Sequence, residues 1–272
     1  MSKIIELEGT FNTRDIGGIK NRDGKTIRYN RMYRSDALNK LSEKDIDFFK
    51  EVELKTIIDF RGAKEVDDAP DVKIEGVQEI NLSPNAEVAN LASGNIVNDK
   101  LKIDTLLNEV STQEGIDKLQ LRMDEMAEQM RELVNDPFAN AQYAKFVDVL
   151  CDENNYPLLH HCKGGKDRTG FAAIITLFIL DVDIQDIKAD YMLTKQCMAA
   201  RNERRMDEYR QYTDNKIVLE YLSGLMQTKE IYFDAAIDEI HKLSPSIPAY
   251  LETYLGLTPE KKEKIKSIFL AE

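Results

Sequence analysis

The 272-residue sequence predicts an α/β domain, and three observations carry the prediction. Short apolar or β-branched runs at 55–60, 77–82 and 156–159 have the length and composition of buried strands. Longer stretches with helical spacing lie between and after them, notably 138–150 and the almost wholly apolar 171–180. A glycine-containing loop joins the run ending at Leu159 directly to the 171–180 stretch, giving strand, loop and helix in immediate succession. Neither an internal repeat nor a low-complexity tract or linker divides the chain, so all 272 residues read as one domain.

Composition narrows the function classes. An apolar content of 42% with 32% charged residues fits a folded chain with a substantial core. A net charge of -12 argues against nucleic acid as a partner and against stable membrane association. No apolar run approaches the roughly 20 residues of a membrane span, and the first residues lack the apolar core of a signal peptide. The expectation is therefore a cytoplasmic protein. Three cysteines (Cys151, Cys162, Cys197) provide neither a disulfide framework nor metal-ligand spacing, and Cys151 reads as a small core residue at a helix end.

Taken in order, residues 1–10 predict a short strand and 12–18 an irregular loop, in which Arg14 and Asp15 pair with each other or brace a site. The turn at Arg22, Asp23 and Gly24 leads into an alternating run at 26–29, read as a strand, and 32–35 is another. Ser42 with Asp45 three residues on is a loose capping box, opening a helix whose apolar face is Phe48, Phe49 and Val52. The 55–60 strand ends in Asp59, with Arg61 just beyond. Both then stand at the carboxyl end of a sheet strand, where polar groups face a ligand crevice, unless they form a pair that only shapes a turn.

Residues 83–100 read as loop. Apolar positions then recur at helical spacing over 101–134, first Leu101, Ile103, Leu106, Leu107 and Val110. After Glu114-Gly115 come Ile116, Leu119, Met123, Met126, Met130 and Leu133, so the segment reads as two inserted amphipathic helices. They supply packing or a mobile lid with adaptable methionines on its inner face. Past the 171–180 helix, 181–194 continues as helix. The 199–212 helix carries Arg201, Arg204, Arg205 and Arg210; either two of them face the pocket or all form a solvated charged face, the reading that nearby Glu203, Asp207 and Glu208 favour. Late helices follow at 229–243 and 259–270, the last with Thr258 as N-cap and Pro259 first.

The chemistry concentrates at His161-Cys162-Lys163-Gly164-Gly165-Lys166-Asp167-Arg168-Thr169-Gly170. Unpaired N–H groups of a loop and first helical turn, with the helix dipole behind them, bind anions. Gly164 and Gly165 permit backbone angles that turn successive N–H groups inward. Lys163, Lys166 and Arg168 concentrate positive charge in an acidic protein. That field favours the Cys162 thiolate, a nucleophile for phosphorus. Arg168, five residues further on, offers a planar fork to two phosphate oxygens. Thr169 is placed to hydrogen-bond the sulfur, with His161 beside it.

His161 to Gly170 resembles the active-site loop of the cysteine-dependent protein tyrosine phosphatase superfamily, and its Lys-Asp-Arg-Thr-Gly ending resembles bacterial tyrosine and phosphoinositide phosphatases. The stretches 12–18, 33–38 and 57–61 resemble that family's Arg-Asp, Arg-Ser and Asp-Leu-Arg segments, with Phe60 in place of the leucine. The resemblance implies a central, mostly parallel sheet flanked by helices, with the helical insertion covering the site. It implies phosphomonoester hydrolysis through a cysteinyl phosphate, on phosphotyrosine protein or phosphoinositide substrates, with no metal and no cofactor.

Cys162 would attack while Arg168 and the loop from Lys163 to Arg168 hold the phosphate. The leaving-group acid departs from the family pattern. Ser83 to Glu87, where an upstream aspartate is expected, contains none. Asp167 is the preferred acid, against a role orienting Arg168 or Lys166, and Glu87 is the substitute. The rival readings are a phosphate-binding module without catalysis and a rhodanese-type sulfurtransferase. A metal hydrolase is disfavoured by a total of three histidines, two of them adjacent.

Overall fold

A computed structural model describes residues 2–84, 96–122 and 125–271. Its centre is a six-stranded sheet of β1 (Lys3–Ile4), β2 (Arg14–Asp15), β3 (Met32–Ser35), β4 (Thr56–Asp59), β5 (Gln78–Asn81) and β6 (Leu158–His161). The order is β1-β2-β3-β6-β4-β5. β3, β6, β4 and β5 run parallel, and β2 and β1 extend the β3 edge antiparallel. The sheet is thus mostly parallel, as expected. The last strand in sequence lies between β3 and β4, so chain segments far apart meet at one edge. The parallel strands end at Ser35, His161, Asp59 and Asn81, the carboxyl edge where open α/β sheets bind ligands.

Period-two alternation assigns each strand side chain to a face. Tyr33, Ile57 and Leu159 point into a smaller cluster with Leu38 and Phe49. That cluster is covered by α1 (Glu43–Glu51), capped as expected by Ser42 and Asp45. The Asp45 carboxylate also accepts the amides of Glu8 and Gly9 at 2.8 Å, tying the N-terminal segment to this helix. Met32, Ile58 and Leu158 point the other way, into the main core. The same alternation separates the two histidines. His160 packs on the main-core side against Phe60 and Phe146, and burial pushes its ring well below the usual histidine range. His161 faces the opposite side.

Among the described residues, the α-helices after α2 (Ala63–Asp68) are α3 (Ile96–Glu109), α4 (Gln113–Leu121), α5 (Glu125–Asn135), α6 (Pro137–Leu150), α7 (Arg168–Ile179), α8 (Ile184–Cys197), α9 (Ala199–Arg210), α10 (Lys216–Met226), α11 (Glu230–Leu243), α12 (Ile247–Leu255) and α13 (Pro259–Phe269). None is long and apolar enough to cross a membrane.

Several local expectations change. Residues 12–18 include β2, because Arg14 and Asp15 pair with Arg34 and Tyr33 of β3. The run at 26–29 makes only isolated bridges, Thr26 to Lys20 and Ile27 to Leu270. The inserted stretch contains three helices. Gly115 does not separate two of them: Thr112 caps α4 by accepting the Gly115 amide, so the glycine lies in a first turn. All three join the main core, through Ile103 and Leu106 of α3, Leu119 of α4 and Met126, Met130 and Leu133 of α5; α5 packs along α11, and α3 and α4 against α10. Asn140 donates to the Val134 carbonyl and Tyr250 bonds both Val134 and Asn140, fixing the α5–α6 junction to the C-terminal region. Residues 85–95 of the expected loop, and with them Glu87, lie outside the described residues, as does Met123.

Candidate active site

Cys162 directly follows β6, and Arg168 opens α7, so residues 162–167 form a loop between a central strand and a buried helix. The loop is held by its carbonyls. Ala37 donates its amide to Lys163 O at 3.2 Å. Asn12 Nδ2 donates to Gly164 O at 3.3 Å and Gly165 O at 3.0 Å, and Arg34 Nη2 also reaches Gly165 O at 3.0 Å. Pulling three successive carbonyls to one side turns the amides to the other. Among the described residues, the amides of Lys163 to Lys166 donate to no protein acceptor. Such converging donors form an anion-binding nest. Gly165 has φ +64°, and a Cβ there would sit 2.4 Å from the Ser35 carbonyl oxygen. Gly164 needs no such freedom: its φ is ordinary and a Cβ would meet nothing within 4 Å. The expectation that both glycines shape the nest holds for Gly165 alone.

Behind the loop lies a buried ionic cluster. Asp190 on α8 accepts Arg14 Nε at 3.2 Å and Arg34 Nη1 at 2.8 Å, with both guanidiniums fully buried. Burial by itself would raise the Asp190 carboxyl, but the two arginines outweigh it and hold it well below the carboxylate range. Burial and the neighbouring Arg14 push Arg34 down to about 10. Arg14 Nη1 donates to Asn12 Oδ1 at 2.6 Å, which orients that amide so that its Nδ2 faces the loop. The Asp36 carboxylate, accepting the amides of Phe11 and Asn12 at 3.0 Å, fixes the same turn. Arg14 and Asp15 therefore do not pair with each other. Asp15 instead accepts the amides of Gly17 and Asn30.

Arg168 is buried, and Glu65 of α2 takes both its Nη1 and its Nη2, the latter at 2.9 Å. Nη1 also donates to Phe60 O at 3.2 Å, while Nε is buried without a partner. Burial alone would lower this guanidinium, but Glu65 and the neighbouring Cys162 raise it above its ordinary value. Only part of the expected fork is thus available to a ligand. Asp167 is buried with Oδ1 unpartnered, its Oδ2 3.8 Å from Lys166 Nζ. Burial raises its carboxyl, against Lys166 and Arg168, and favours the protonated form. It makes no hydrogen bond to Arg168, whereas its 3.8 Å approach to Lys166 fits the alternative role of orienting that lysine.

The Lys166 ammonium donates to Leu225 O at 2.6 Å and Gln227 O at 3.1 Å, closing the C-terminus of α10. The expectation that Lys166 offers a free cation to phosphate is therefore corrected. Thr169 Oγ1 is buried without a partner and makes no hydrogen bond to the Cys162 sulfur, against expectation.

His161, Asp59 and Arg61 belong to a second cluster beneath the loop. Arg61 bonds Asp59 and Asp71, and His161 Nε2 lies 3.2 Å from Asp71 and 3.8 Å from Asp59, off the line of a hydrogen bond. Burial disfavours charge on the ring, but Asp59 and Asp71 outweigh it and raise His161. Donor atoms of Asp59, Asp71 and His161 lie within 4.8 Å of one another, close enough to hold a cation. The Arg61 guanidinium already bonds both carboxylates. None of these residues lines the cavity over the loop, so they brace rather than face it.

That cavity has a volume of about 40 Å³ and a floor of Cys162, Lys163, Gly164, Lys166, Asp167 and Arg168. Holding one water takes about 10–15 Å³, so a phosphoryl-sized group has room. Its walls are Met198, Arg201, Leu225 and Met226, from the α8–α9 junction and α10; no described residue of 101–134 contributes. A larger hollow of about 400 Å³, lined by Phe178, Val182, Leu251 and Leu257, contains no loop residue. The sequence reading did not select Glu65, Asn12, Asp36, Asp71, Asp190, Met198 or Leu225. Arg201 fits the less favoured alternative, in which two of the four helix arginines face the pocket, and Asn12 and Asp36 lie within the 12–18 and 33–38 motif segments. Of the four, Arg201 reaches the cavity, Arg205 pairs with Asp99 and Glu208, and Arg210 has exposed pairs with Glu203 and Asp207.

A sequence profile of the tyrosine phosphatase family matches residues 5–271. A protein of Cupriavidus necator, provisionally named a tyrosine-protein phosphatase, is 26% identical over 254 residues, covering 92% of this chain and 84% of its own. The triple specificity protein phosphatase PtpB of Mycobacterium tuberculosis is 22% identical over 280 residues, covering 98% of this chain and 99% of its own.

Proposed function

The chain belongs to the tyrosine phosphatase family of phosphoric monoester hydrolases, and we propose that it acts on phosphotyrosine proteins through a cysteinyl phosphate on Cys162. The observation that carries this reading is the nest itself. A thiol stands at the mouth of a loop whose carbonyls are tied back and whose free amides converge. In the first step the Cys162 thiolate attacks phosphorus and the bond to the leaving oxygen breaks. Amides of Lys163 to Lys166 and the free Nε of Arg168 stabilise the equatorial oxygens. Asp167 gives its proton to the leaving oxygen, a task that suits a carboxyl that burial raises from its ordinary value. In the second step Asp167, now ionised, takes a proton from water as the water attacks phosphorus and the sulfur leaves. The Thr169 hydroxyl, lacking another partner, is available to that sulfur.

The same proposal extends to phosphoinositides. Lys163 lines the cavity and forms no ion pair among the described residues, which supports recognition of substrates with additional negative charge. The proposal places the protein in the cytoplasm without stable membrane association, in keeping with its charge of -12.

The test is hydrolysis of para-nitrophenyl phosphate, with chelator and no added metal, by the wild type and Cys162→Ser. Turnover by the wild type alone, with phosphate trapped on Cys162 in acid-quenched protein, is the expected result. Equal turnover by both proteins would remove Cys162 from the reaction. A thiosulfate reaction without phosphatase activity would favour sulfur transfer instead.

A further inference from the structure

We propose that Arg201 is a substrate-binding residue, holding the phosphoryl group from the α9 wall of the cavity while the loop holds it from the floor. This rests on the phosphatase reading and adds a residue that the loop motif does not contain. α8 stops at Cys197 and α9 starts at Ala199, so the chain breaks over the nest at Met198. Met198 and Arg201 are three residues apart and share a helical face, and both line the cavity.

Charge pairing sets Arg201, together with Lys163, apart from Arg168 and Lys166. Arg168 is neutralised by Glu65, and the Lys166 ammonium is spent on two carbonyls. Arg201 has no carboxylate within ion-pair distance among the described residues; its hydrogen bond is to Asn202 Oδ1, at 3.3 Å. Asn202 is itself anchored, donating Nδ2 to Met226 O at 3.1 Å, so the guanidinium rests against a fixed partner. Asp36 attracts Arg201 from beyond ion-pair distance, but its oxygens already accept the amides of Phe11 and Asn12.

The position is unfavourable for a cation in the absence of an anion. Arg201 stands in the first turn of α9, which contains no acidic residue, and a positive charge there opposes the helix dipole. Lys163 lines the same small cavity and adds like charge. Burial lowers both groups from their ordinary values. A phosphoryl dianion relieves each of these penalties: it neutralises two unpaired cations and meets the N-terminal ends of α7 and α9 together. Arg204 and Arg205 do not share this role, since Arg204 lies over the Phe11 ring and Arg205 pairs with Asp99 and Glu208.

The experiment is calorimetric titration of inorganic phosphate into Cys162→Ser, with and without Arg201→Gln or Arg201→Lys. It is paired with para-nitrophenyl phosphate kinetics of the single Arg201 variants. Arg201→Gln should weaken phosphate binding about 10- to 100-fold, the loss of one charge-assisted contact, and raise KM more than it lowers kcat. Arg201→Lys should fall between the two, and it carries the test if the Gln variant does not fold. Arg210→Gln, on an exposed face, should change neither quantity. Phosphate affinity equal to the parent's in the Arg201 variants would overturn the assignment. So would losses confined to substrates bearing a second anionic group. If the parent binds no phosphate and the wild type hydrolyses no ester, the phosphatase reading falls and this one with it. If both behave as expected and only the Arg201 variants are silent, Arg201 alone is misassigned.

Discussion

Asp190→Asn tests the idea that a buried charge cluster behind the loop shapes the nest. Asp190 is 2% exposed in its side chain and serves two guanidiniums that are 0% exposed. The cluster already carries one net positive charge, and the amide variant would carry two with no counter-ion. Breaking a buried pair by removing one partner costs roughly 3–5 kcal/mol. Unfolding entropy of about 2.1 cal/mol/K per residue gives roughly 0.57 kcal/mol/K for 272 residues, so a loss of roughly 4 kcal/mol lowers Tm by about 7 °C.

The sign of the pH dependence follows from the depressed carboxyl. Its contribution is complete above the unfolded aspartate value of about 3.9 and is lost as pH falls through the lower folded value. The Tm gap between wild type and variant should therefore be constant from pH 7 to 5 and narrow below about pH 4. Thermal denaturation followed by circular dichroism at pH 7, 5 and 3.5 measures it. Below the melting range, kcat/KM should also fall, because Arg34 positions the Gly165 carbonyl. A Tm change under about 2 °C at pH 7, or a gap that does not respond to acid, would refute the reasoning.

Other outcomes follow from the same geometry. Gly165→Ala should lose activity and roughly 2 kcal/mol or more of stability, from its left-handed backbone and the Ser35 carbonyl, whereas Gly164→Ala should fold with nearly wild-type stability in denaturant titrations. Asp167→Asn should slow phenyl phosphate by about 10²-fold or more and para-nitrophenyl phosphate much less, since a good leaving group needs little protonation. In the wild type, kcat on phenyl phosphate should decline as pH rises through the raised Asp167 value, and the variant should lose that decline. Glu65→Gln leaves the Arg168 charge buried without its counter-ion, and should lower stability by roughly 3–5 kcal/mol together with kcat. Unchanged melting and kinetics would show that Arg168 does not need Glu65.

The sequence by itself determined the strand, loop and helix that form the nest. Cys162, Gly165, Asp167 and Arg168 are contiguous, and the geometry they require depends on local backbone angles and on the strand and helix that flank them. The tertiary structure alone decided how the site is charged. Glu65 lies 103 residues from Arg168, Asp190 lies 156 from Arg34, and Asn12 lies 153 from Gly165. A buried ion pair leaves no periodic trace in the chain, so Lys166 looked free until its carbonyl partners on α10 were placed. Which of the four helix arginines reaches the pocket was undecided until the helix break at Met198 placed Arg201 over the nest. Local backbone chemistry made the loop legible, while pairing between distant charges was settled by which surfaces packing brought together.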